Sequence, residues 1–462
     1  MSPRDVLVIG GGIAGVSAAA RLRELGGDRV RVTLVEQTRR LGGKIHTGQI
    51  AGVSVETGAE TFLVRRDEGV DLATAVGLGE RLVHPAGLPA AVAIDGSLRD
   101  LPRGTVMGIP ADAAGVETLI PAADAERIRD EPSDLDLRGE DIAVGRLVRQ
   151  RFGDAVVDRL VDPLLGGVYA GRADDLSLDV TVPQLAAALR RHTRLGDAVA
   201  DCLPPPPSGP AKPVFGSIDT GLSTLVESVA AHAGADILYG LPVRELARTP
   251  SGWRAVIGAT RDPRELTADA VVLAVPARPA ARLLADTSAA ASAEVGVLDY
   301  ASVALVTLAL PGVDLPQRSG FLVPATEGLT IKAATFFTRK WPHLDAGGLT
   351  VVRASLGRYG EEAVLQRDDA ELAAAARADL STLLGTDLPA PIDVAVKRWG
   401  GGLPQYGPGH ADRVRRARAA LADHPIALAG AGFDGVGIPA CIASGRAAAE
   451  SVLQMVENPD HV

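Results

Sequence analysis

Three glycines near the N-terminus have the spacing of a phosphate-binding turn. Gly10, Gly12 and Gly15 form a GxGxxG motif. The apolar run Val6–Ile9 precedes them and predicts a buried parallel strand, and apolar and small residues follow at helical spacing over Ile13–Leu25. Glycine permits a tight turn and lets the backbone approach a pyrophosphate at the start of the helix, whose N-terminus favours an anion. The motif therefore predicts a strand–turn–helix unit that can hold phosphate groups.

A carboxylate stands where the next strand is expected to end. Residues 30–35 predict that strand, and Glu36 follows it, 21 residues after Gly15. At this position a carboxylate can accept hydrogen bonds from the hydroxyls of an adenosine ribose. Strand, glycine turn, helix and acidic residue together favour dinucleotide binding over a plain Gly-rich turn. These residues alone do not separate NAD from FAD.

Three further stretches separate the two cofactors. Arg40–Lys44 (RLGGK) places a glycine pair after the second strand. Here the chain resembles the superfamily of flavin amine oxidases and protoporphyrinogen oxidases, in which this pair lets the backbone reach the FAD diphosphate. Gly58–Phe62 (GAETF) matches that superfamily's loop beside the isoalloxazine, and Gly430–Pro439 (GAGFDGVGIP) matches its last FAD motif. The resemblance implies non-covalent FAD, with the start of the last helix at the pyrimidine edge of the flavin, where it favours the anionic reduced form.

The resemblance also implies a defined set of cofactor-binding residues. Val243 stands where the superfamily places a backbone clamp on adenine, although an ordinary strand residue is an equally good interpretation, and Trp399 lies beside a flavin-site motif. No protein residue is expected to act as an obligatory acid or base, because the flavin carries the chemistry. The expected cofactor-binding residues are Gly10, Gly11, Gly12, Ile13, Ala14, Gly15, Glu36, Gln37, Gly42, Gly43, Lys44, Gly58, Ala59, Glu60, Thr61, Val243, Trp399, Gly432, Val436, Gly437 and Ile438.

Other stretches favour the porphyrinogen oxidases over the amine oxidases and desaturases. They are Met107–Pro110, Gly167–Gly171, Arg339–Pro342, Arg398–His410 and Gly437–Cys441. The resemblance covers essentially the whole chain and is greatest to the bacterial coproporphyrinogen III oxidases. It implies a six-electron oxidation of coproporphyrinogen III to coproporphyrin III in haem biosynthesis. Hydride would pass to flavin N5, and O2 would then accept the electrons and leave as peroxide.

The implied substrate is a broad apolar ring with four propionates, whereas the chain carries a net charge of −10. Such a substrate requires a local cluster of cations in an acidic protein. Tyr169 is expected to line the ring site, and for each arginine a solvated surface position is the alternative interpretation. The expected substrate-binding residues are Arg65, Arg66, Tyr169, Arg172, Arg339 and Lys340.

The sequence predicts an α/β (α+β multidomain) fold with three parts. A Rossmann-like FAD-binding domain is expected beside a substrate-binding domain with a mixed or antiparallel sheet and a helical domain. The expected ranges are 1–65, 214–290 and 397–462 for the FAD-binding domain, 66–108 and 291–396 for the substrate-binding domain, and 109–213 for the helical domain, in which residues 204–213 form a Pro-rich connector.

Composition and charge exclude several classes of protein. With 47 basic against 57 acidic residues, the chain lacks the positive charge of a general nucleic-acid binder, and its eight histidines show no metal-ligand spacing. The uncharged stretches Val6–Ala20 and Tyr300–Val313 have 15 and 14 residues, whereas a membrane-spanning helix needs about 20. Two cysteines do not make a disulfide framework, so a reducing cytoplasm is expected. Only five of the basic residues are lysines, which we attribute to a GC-rich genome and not to function.

Three rival interpretations stay open. A protoporphyrinogen IX oxidase shares the expected fold and chemistry, but its substrate has two propionates and it usually associates with membranes; here residues 112–141 carry ten acids and three arginines, which anionic lipids would repel. A flavin amine oxidase or desaturase is less favoured. A dinucleotide-dependent binding module without enzyme activity would leave the last FAD motif unexplained. The sequence also leaves open whether a ferrochelatase receives the product directly.

Overall fold

The computed structural model describes residues 3–137, 139–205, 212–344 and 346–457. Its strands, in chain order, are β1 Arg4–Ile9, β2 Val30–Glu36, β3 Thr47–Ile50, β4 Val53–Glu56, β5 Phe62–Leu63, β6 Leu82–Val83, β7 Ala90–Ile94, β8 Ser97–Asp100, β9 Thr105–Val106, β10 Ile109–Pro110, β11 Phe215–Ile218, β12 Asp236–Tyr239, β13 Val243–Thr249, β14 Gly252–Ala259, β15 Asp262–Ala268, β16 Ala270–Leu273, β17 Tyr300–Leu310, β18 Gly320–Leu322, β19 Ile331–Phe336, β20 Thr350–Leu356, β21 Asp393–Pro404 and β22 Ile426–Leu428.

The α-helices lie mainly between these strands. They are α1 Ile13–Gly26, α2 Asp67–Ala75, α3 Ala122–Arg129, α4 Val144–Phe152, α5 Asp154–Val156, α6 Asp162–Tyr169, α7 Leu178–Thr181, α8 Pro183–Leu189, α9 Leu195–Cys202, α10 Leu222–Ala233, α11 Ala277–Leu284, α12 Ala289–Gly296, α13 Phe337–Lys340, α14 Asp369–Leu384, α15 His410–Ala419, α16 Ala431–Asp434 and α17 Ile438–Glu457. Within the described ranges, no helix is long and apolar enough to cross a membrane.

Five parallel strands form the first sheet, in the order β12-β2-β1-β16-β22. Strand β1 is apolar on both faces because both faces are covered. Val6 and Val8 pack into a cluster with helices α1, α10 and α17, whereas Leu7 and Ile9 pack into a second cluster with the antiparallel sheet β13-β14-β15 and helices α11 and α12. This arrangement confirms the predicted Rossmann-like fold.

A seven-stranded mixed sheet forms the second layer, in the order β21-β17-β20-β19-β18-β7-β8. Its neighbouring strands are antiparallel except β18 and β7, which are parallel. Helix α14 covers one face, where Leu372 and Leu380 pack with Leu308 and Phe336. The predicted second sheet is therefore confirmed as mixed.

Helices α3 to α9 form a third cluster around a separate apolar core. Leu147, Phe152 and Leu185 are among its fully buried residues. This cluster corresponds to the predicted helical part. Of the predicted Pro-rich connector at 204–213, residues 206–211 lie outside the described residues.

Two details of the structure bear on the predicted domain ranges. Strand β21 runs through residue 397 without interruption and pairs with β17 of the seven-stranded sheet, so the boundary predicted at 397 falls inside a strand. Leu72 and Ala73 of helix α2 are buried in the cluster of α1 and α17. We therefore propose that residues 67–83 belong to the first domain and residues 397–404 to the second.

Candidate active site

Two glycine turns meet at the start of helix α1. Gly42 donates its backbone N–H to the carbonyl oxygen of Gly11 at 2.8 Å, and Gly12 and Gly42 form an isolated parallel β-bridge. The turn after β1 is tight, because a Cβ on Gly15 would lie 1.9 Å from the carbonyl oxygen of Gly10. The spacing of both glycine motifs in the sequence therefore produces one continuous backbone surface.

Gly12 faces open space at this surface. Its φ is −70°, it caps the N-terminus of α1, and a Cβ placed on it would have no atom within 4 Å. The first N–H groups of a helix have no partner within that helix and attract an anion. A turn that leaves room for a phosphate beside free N–H groups fits a dinucleotide diphosphate. Ile13 and Ala14, also expected at the cofactor, are buried in the first turn of the helix.

Glu36 organises the adjacent loop. Its two carboxylate oxygens accept the backbone N–H groups of Gly11 and Thr38, each at 2.8 Å, and the residue is buried. Each oxygen retains a lone pair for a further donor such as a ribose hydroxyl. Gln37, the next residue, is exposed.

The adenine clamp expected at Val243 stays a prediction. Val243 opens strand β13, and Leu241, two residues earlier, donates its N–H to the carbonyl of Glu36 at 3.1 Å. The segment therefore lies beside the expected ribose end. The carbonyl of Val243 already accepts a hydrogen bond from Arg282 at 3.2 Å.

A cavity of about 1010 Å³ lies against the seven-stranded sheet and reaches the start of the last helix. Its volume is at the upper end of the range for ligand sites, about 300–1,000 Å³. Helix α17 begins at this cavity. Nine of the expected cofactor residues, from four separate stretches of the chain, line it together: Lys44, Gly58, Ala59, Glu60, Thr61, Trp399, Val436, Gly437 and Ile438. Gly432 does not line it; a Cβ there would lie 2.5 Å from the hydroxyl of Tyr300, so this glycine allows close packing.

Glu60 is the only carboxylate of the described residues that lines the cavity, and it joins three donors. It accepts hydrogen bonds from Trp341 Nε1 at 2.8 Å and from Arg353 at 2.5 Å, and it pairs with the Nζ of Lys340 at 2.8 Å. Burial alone would raise the pKa of Glu60, but the charges of Lys340 and Arg353 outweigh it and lower the pKa to about 2. Arg353 also donates to the carbonyl of Glu56 at 2.8 Å, so the 56–60 loop is held at the cavity edge.

Trp399 forms another fixed wall. Its Nε1 donates to the carbonyl of Thr57 at 2.7 Å, and the charged groups of Arg40 and Lys397 lie 5.8 and 5.0 Å from the ring centroid. The ring therefore lies against the same loop as Glu60. The position agrees with the expected cofactor contact, which stays a prediction.

Glu56 lies just behind the cavity and is a buried carboxyl group with incomplete hydrogen bonding. Its Oε1 accepts from the N–H of Leu222 at 2.6 Å and from the hydroxyl of Thr47 at 3.0 Å. Among the described residues, its Oε2 has no hydrogen-bond partner. Burial raises the pKa of Glu56 to about 7, against the smaller opposing effect of the Leu222 N–H.

We expect Glu56 to make the apoprotein less stable as the pH rises. Because the pKa is higher in the folded than in the unfolded chain, the folded state binds more protons, so the stabilisation is full below about pH 4.5 and is lost as the pH rises through about 7. The loss is on the order of 3 kcal/mol, since one pKa unit corresponds to about 1.4 kcal/mol. Thermal unfolding of wild type and Glu56→Gln across this range measures it. The advantage of the variant should grow with pH, and a constant difference would contradict the expectation.

Most of the expected substrate cations lie elsewhere. Arg65 and Arg66 are exposed, and Arg66 pairs with Glu68 at 2.5 Å, because the chain turns outward into helix α2 directly after the 58–62 loop. Arg172 and Arg339 pair with Asp162 at 3.4 Å and Asp314 at 2.5 Å, respectively, and neither lines the cavity.

The structure places these four side chains away from the cavity, and their contact with substrate stays a prediction. Tyr169 is also not at the cavity: it is buried, and its ring packs against Tyr406 with 5.7 Å between centroids. Among the predicted substrate residues, Lys340 alone lines the cavity.

The sequence analysis missed the basic residues that do line the cavity. Lys212, Lys332 and Arg353 line it together with Lys340 and with Lys44, which was expected at the cofactor. The scarcity of lysine, which the sequence analysis attributed to a GC-rich genome, contained a signal in where the few lysines lie. Five of the 47 basic residues in the chain are lysines, yet four of the five described basic residues that line the cavity are lysines.

Comparison with known proteins agrees with this geometry. The family model described as flavin containing amine oxidoreductase matches residues 13–453, and the chain belongs to this family. It is therefore an FAD-dependent oxidoreductase. The chain is 40% identical over 464 residues to the coproporphyrinogen III oxidase of Mycobacterium tuberculosis (strain ATCC 25618 / H37Rv), covering 99% of each chain. It is 32% identical over 473 residues to the coproporphyrinogen III oxidase of Bacillus subtilis (strain 168), covering 97% of this chain and 98% of the other.

A solved structure from Exiguobacterium sp. 255-15 superposes with a TM-score of 0.86 and 33% identity, covering 98% of this chain and 99% of the other. The fold and the relatives thus agree over the full length. The Gly10–Gly12 and Gly42–Gly43 turns would hold the FAD diphosphate, Glu36 the ribose, and the cavity edge at Gly58–Thr61 and Val436–Ile438 the flavin ring. When bound there, FAD supplies the capacity to accept a hydride.

Proposed function

We propose that this chain oxidises coproporphyrinogen III to coproporphyrin III, with O2 as the electron acceptor. Each of the three two-electron steps would move a hydride and a proton out of the macrocycle, consume one O2 and release one hydrogen peroxide. The observation that carries the proposal is the charge of the cavity: of the residues that the structure describes, five basic side chains and one acidic side chain line it, in a protein of net charge −10. The full-length similarity to coproporphyrinogen III oxidases supports it.

The cavity walls suit the remainder of such a substrate. Val303, Leu305, Phe321 and Leu322 supply apolar surface, so an apolar macrocycle can be held out of water while its carboxylates reach the cations. Orientation of the reacting carbon and exclusion of water are what the protein adds to flavin chemistry. A flavin amine oxidase is less favoured because a cation-lined cavity repels a protonated amine.

Steady-state kinetics of two porphyrinogens test the proposal. The holoenzyme is given coproporphyrinogen III or protoporphyrinogen IX, with and without lipid vesicles, and porphyrin fluorescence is followed. We expect a higher kcat/KM with coproporphyrinogen III and no requirement for lipid, because a ring with two propionates leaves cavity cations unpaired. A preference for protoporphyrinogen IX, or activity only with lipid, would assign the chain to the alternative oxidase. Transfer of product to a ferrochelatase and a cytoplasmic location stay predictions.

A further inference from the structure

We propose that Lys332 anchors a propionate of the substrate and determines the preference for a ring with four carboxylates over a ring with two. The proposal rests on the proposed function and assigns its specificity to one side chain. Lys332 lies on β19, in the wall of the cavity formed by the seven-stranded sheet.

Lys332 differs from two neighbouring cavity cations in having no carboxylate partner within the described residues. Lys340 and Arg353 both bind Glu60, so much of their hydrogen-bonding capacity and one unit of their charge are already used. The Nζ of Lys332 donates to one neutral acceptor, the carbonyl of Gly166, at 3.0 Å. In the described ranges no carboxylate comes within 4.0 Å of Lys332. An ammonium has three N–H donors, so Lys332 retains donors for a ligand.

The charged side chain of Lys332 is also buried. Only 6% of Lys332 is exposed. A buried cation without an anionic partner is costly, and an arriving carboxylate removes that cost as well as adding a charge-assisted hydrogen bond. The rest of the chain does not supply such a carboxylate within the described residues. A substrate propionate supplies it.

The cavity contains lysines in a chain whose basic residues are mostly arginines. Arginine accounts for 42 of the 47 basic residues, so lysine is uncommon in this chain wherever a positive charge alone is needed. All five lysines lie at the cavity or beside it: four line it, and Lys397 packs on the ring of Trp399. Lysine differs from arginine in being a compact charge whose pKa responds to burial. The placement therefore indicates a requirement for lysine at this cavity that the surrounding arginines do not meet.

The charges around Lys332 favour the binding of a carboxylate at this position. Burial, followed by the charges of Arg358 and Arg353, lowers the pKa of Lys332 to about 7. Arg353 faces Lys332 from β20, and Arg358 faces it from the loop after that strand. On α6, Asp162 is paired with Arg172 and bound by the N–H of Ala173. A bound carboxylate favours the protonated lysine, so binding should take up a proton and weaken as the pH rises above about 7.

The experiment compares Lys332→Met and Lys332→Arg holoenzymes with wild type. Lys332→Met keeps an unbranched apolar side chain but removes the charge. We expect it to raise KM for coproporphyrinogen III by about 10- to 150-fold with kcat little changed, the scale of a charge-assisted hydrogen bond of about 1.5–3 kcal/mol that is made away from the reacting carbon. For protoporphyrinogen IX the change should be less than about 3-fold, because a vinyl group then faces position 332. Arg264→Met removes the same charge from an exposed site on β15 and serves as the control.

Binding of the product provides a readout independent of turnover. The dissociation constant of coproporphyrin III should rise with pH above about 7 in wild type, be high throughout in Lys332→Met, and be independent of pH in Lys332→Arg, whose charge does not titrate in this range. FAD content confirms that each variant is folded. If Lys332→Met does not load FAD, the pH dependence of product binding by Lys332→Arg tests the proposal. Equal losses with both porphyrinogens, unchanged product affinity in Lys332→Met, or an unchanged pH dependence in Lys332→Arg would overturn the proposal. If wild type does not oxidise coproporphyrinogen III, the proposed function fails instead.

Discussion

Replacing Gly12 by valine should yield a folded protein that retains no FAD. The backbone at Gly12 has a φ of −70°, which valine can adopt, and its Cβ would meet no atom within 4 Å. The fold therefore tolerates the side chain, apart from a cost of about 1 kcal/mol or less at the N-cap position. The branched side chain would, however, fill the space where a diphosphate must approach the helix N-terminus. FAD per chain, measured by absorbance after gel filtration, should fall from about one to near zero.

Two control variants separate cofactor loss from unfolding. Gly400→Val adds the same side chain at an exposed position of β21 with equally open surroundings, and it should keep FAD. Gly15→Ala should destabilise the fold itself, because its Cβ would lie 1.9 Å from the carbonyl oxygen of Gly10. A Gly12→Val protein that retains full FAD would contradict the assignment of this turn to the diphosphate.

Replacing Glu60 by glutamine should cause a large loss of stability. Glu60 is 8% exposed and neutralises part of the charge of Lys340 and Arg353. Glutamine keeps the size but leaves two neighbouring cations without an anion. Removing one partner of a buried ion pair costs about 3–5 kcal/mol. Chemical unfolding of the apoprotein measures this loss.

A surface pair gives the matched control. Glu68→Gln removes the carboxylate that pairs with the exposed Arg66, and we expect a change of about 1 kcal/mol or less. The pH dependence adds a second check. The pKa of Glu60 is lowered to about 2, so its stabilisation is present above about pH 4.5 and is lost as the pH falls through about 2. The difference between wild type and Glu60→Gln should therefore shrink in acid. Equal effects of Glu60→Gln and Glu68→Gln would show that Glu60 does not join the cavity cations.

Much of the nucleotide-binding part could be predicted because its signals are local. The strand predicted at Val6–Ile9 is observed as Arg4–Ile9, and the last helix, expected at the end of the Gly430–Pro439 motif, is observed as Ile438–Glu457. Both follow from runs of apolar residues next to glycine turns, which determine backbone shape within a few residues.

The substrate side could not be predicted in the same way because its residues come from distant parts of the chain. Arg353 binds Glu60 across 293 residues of sequence, and Lys332 reaches Gly166 across 166. Proximity in sequence favoured Arg66 instead, and helix α2 carries that residue to the surface. The scarcity of lysine was the one observation in the sequence that pointed to the basic side chains lining the cavity. It required comparing residue types over the whole chain and not reading any single motif.

The central claim is that a porphyrinogen reduces FAD held at this cavity, and rapid mixing in the absence of oxygen tests it most directly. Wild-type holoenzyme is mixed anaerobically with coproporphyrinogen III while flavin absorbance is recorded. We expect the absorbance of oxidised flavin to disappear at a rate no slower than kcat, and to return when air is admitted while porphyrin absorbance develops. Flavin that stays oxidised in the presence of coproporphyrinogen III, in a preparation with one FAD per chain, would contradict the claim.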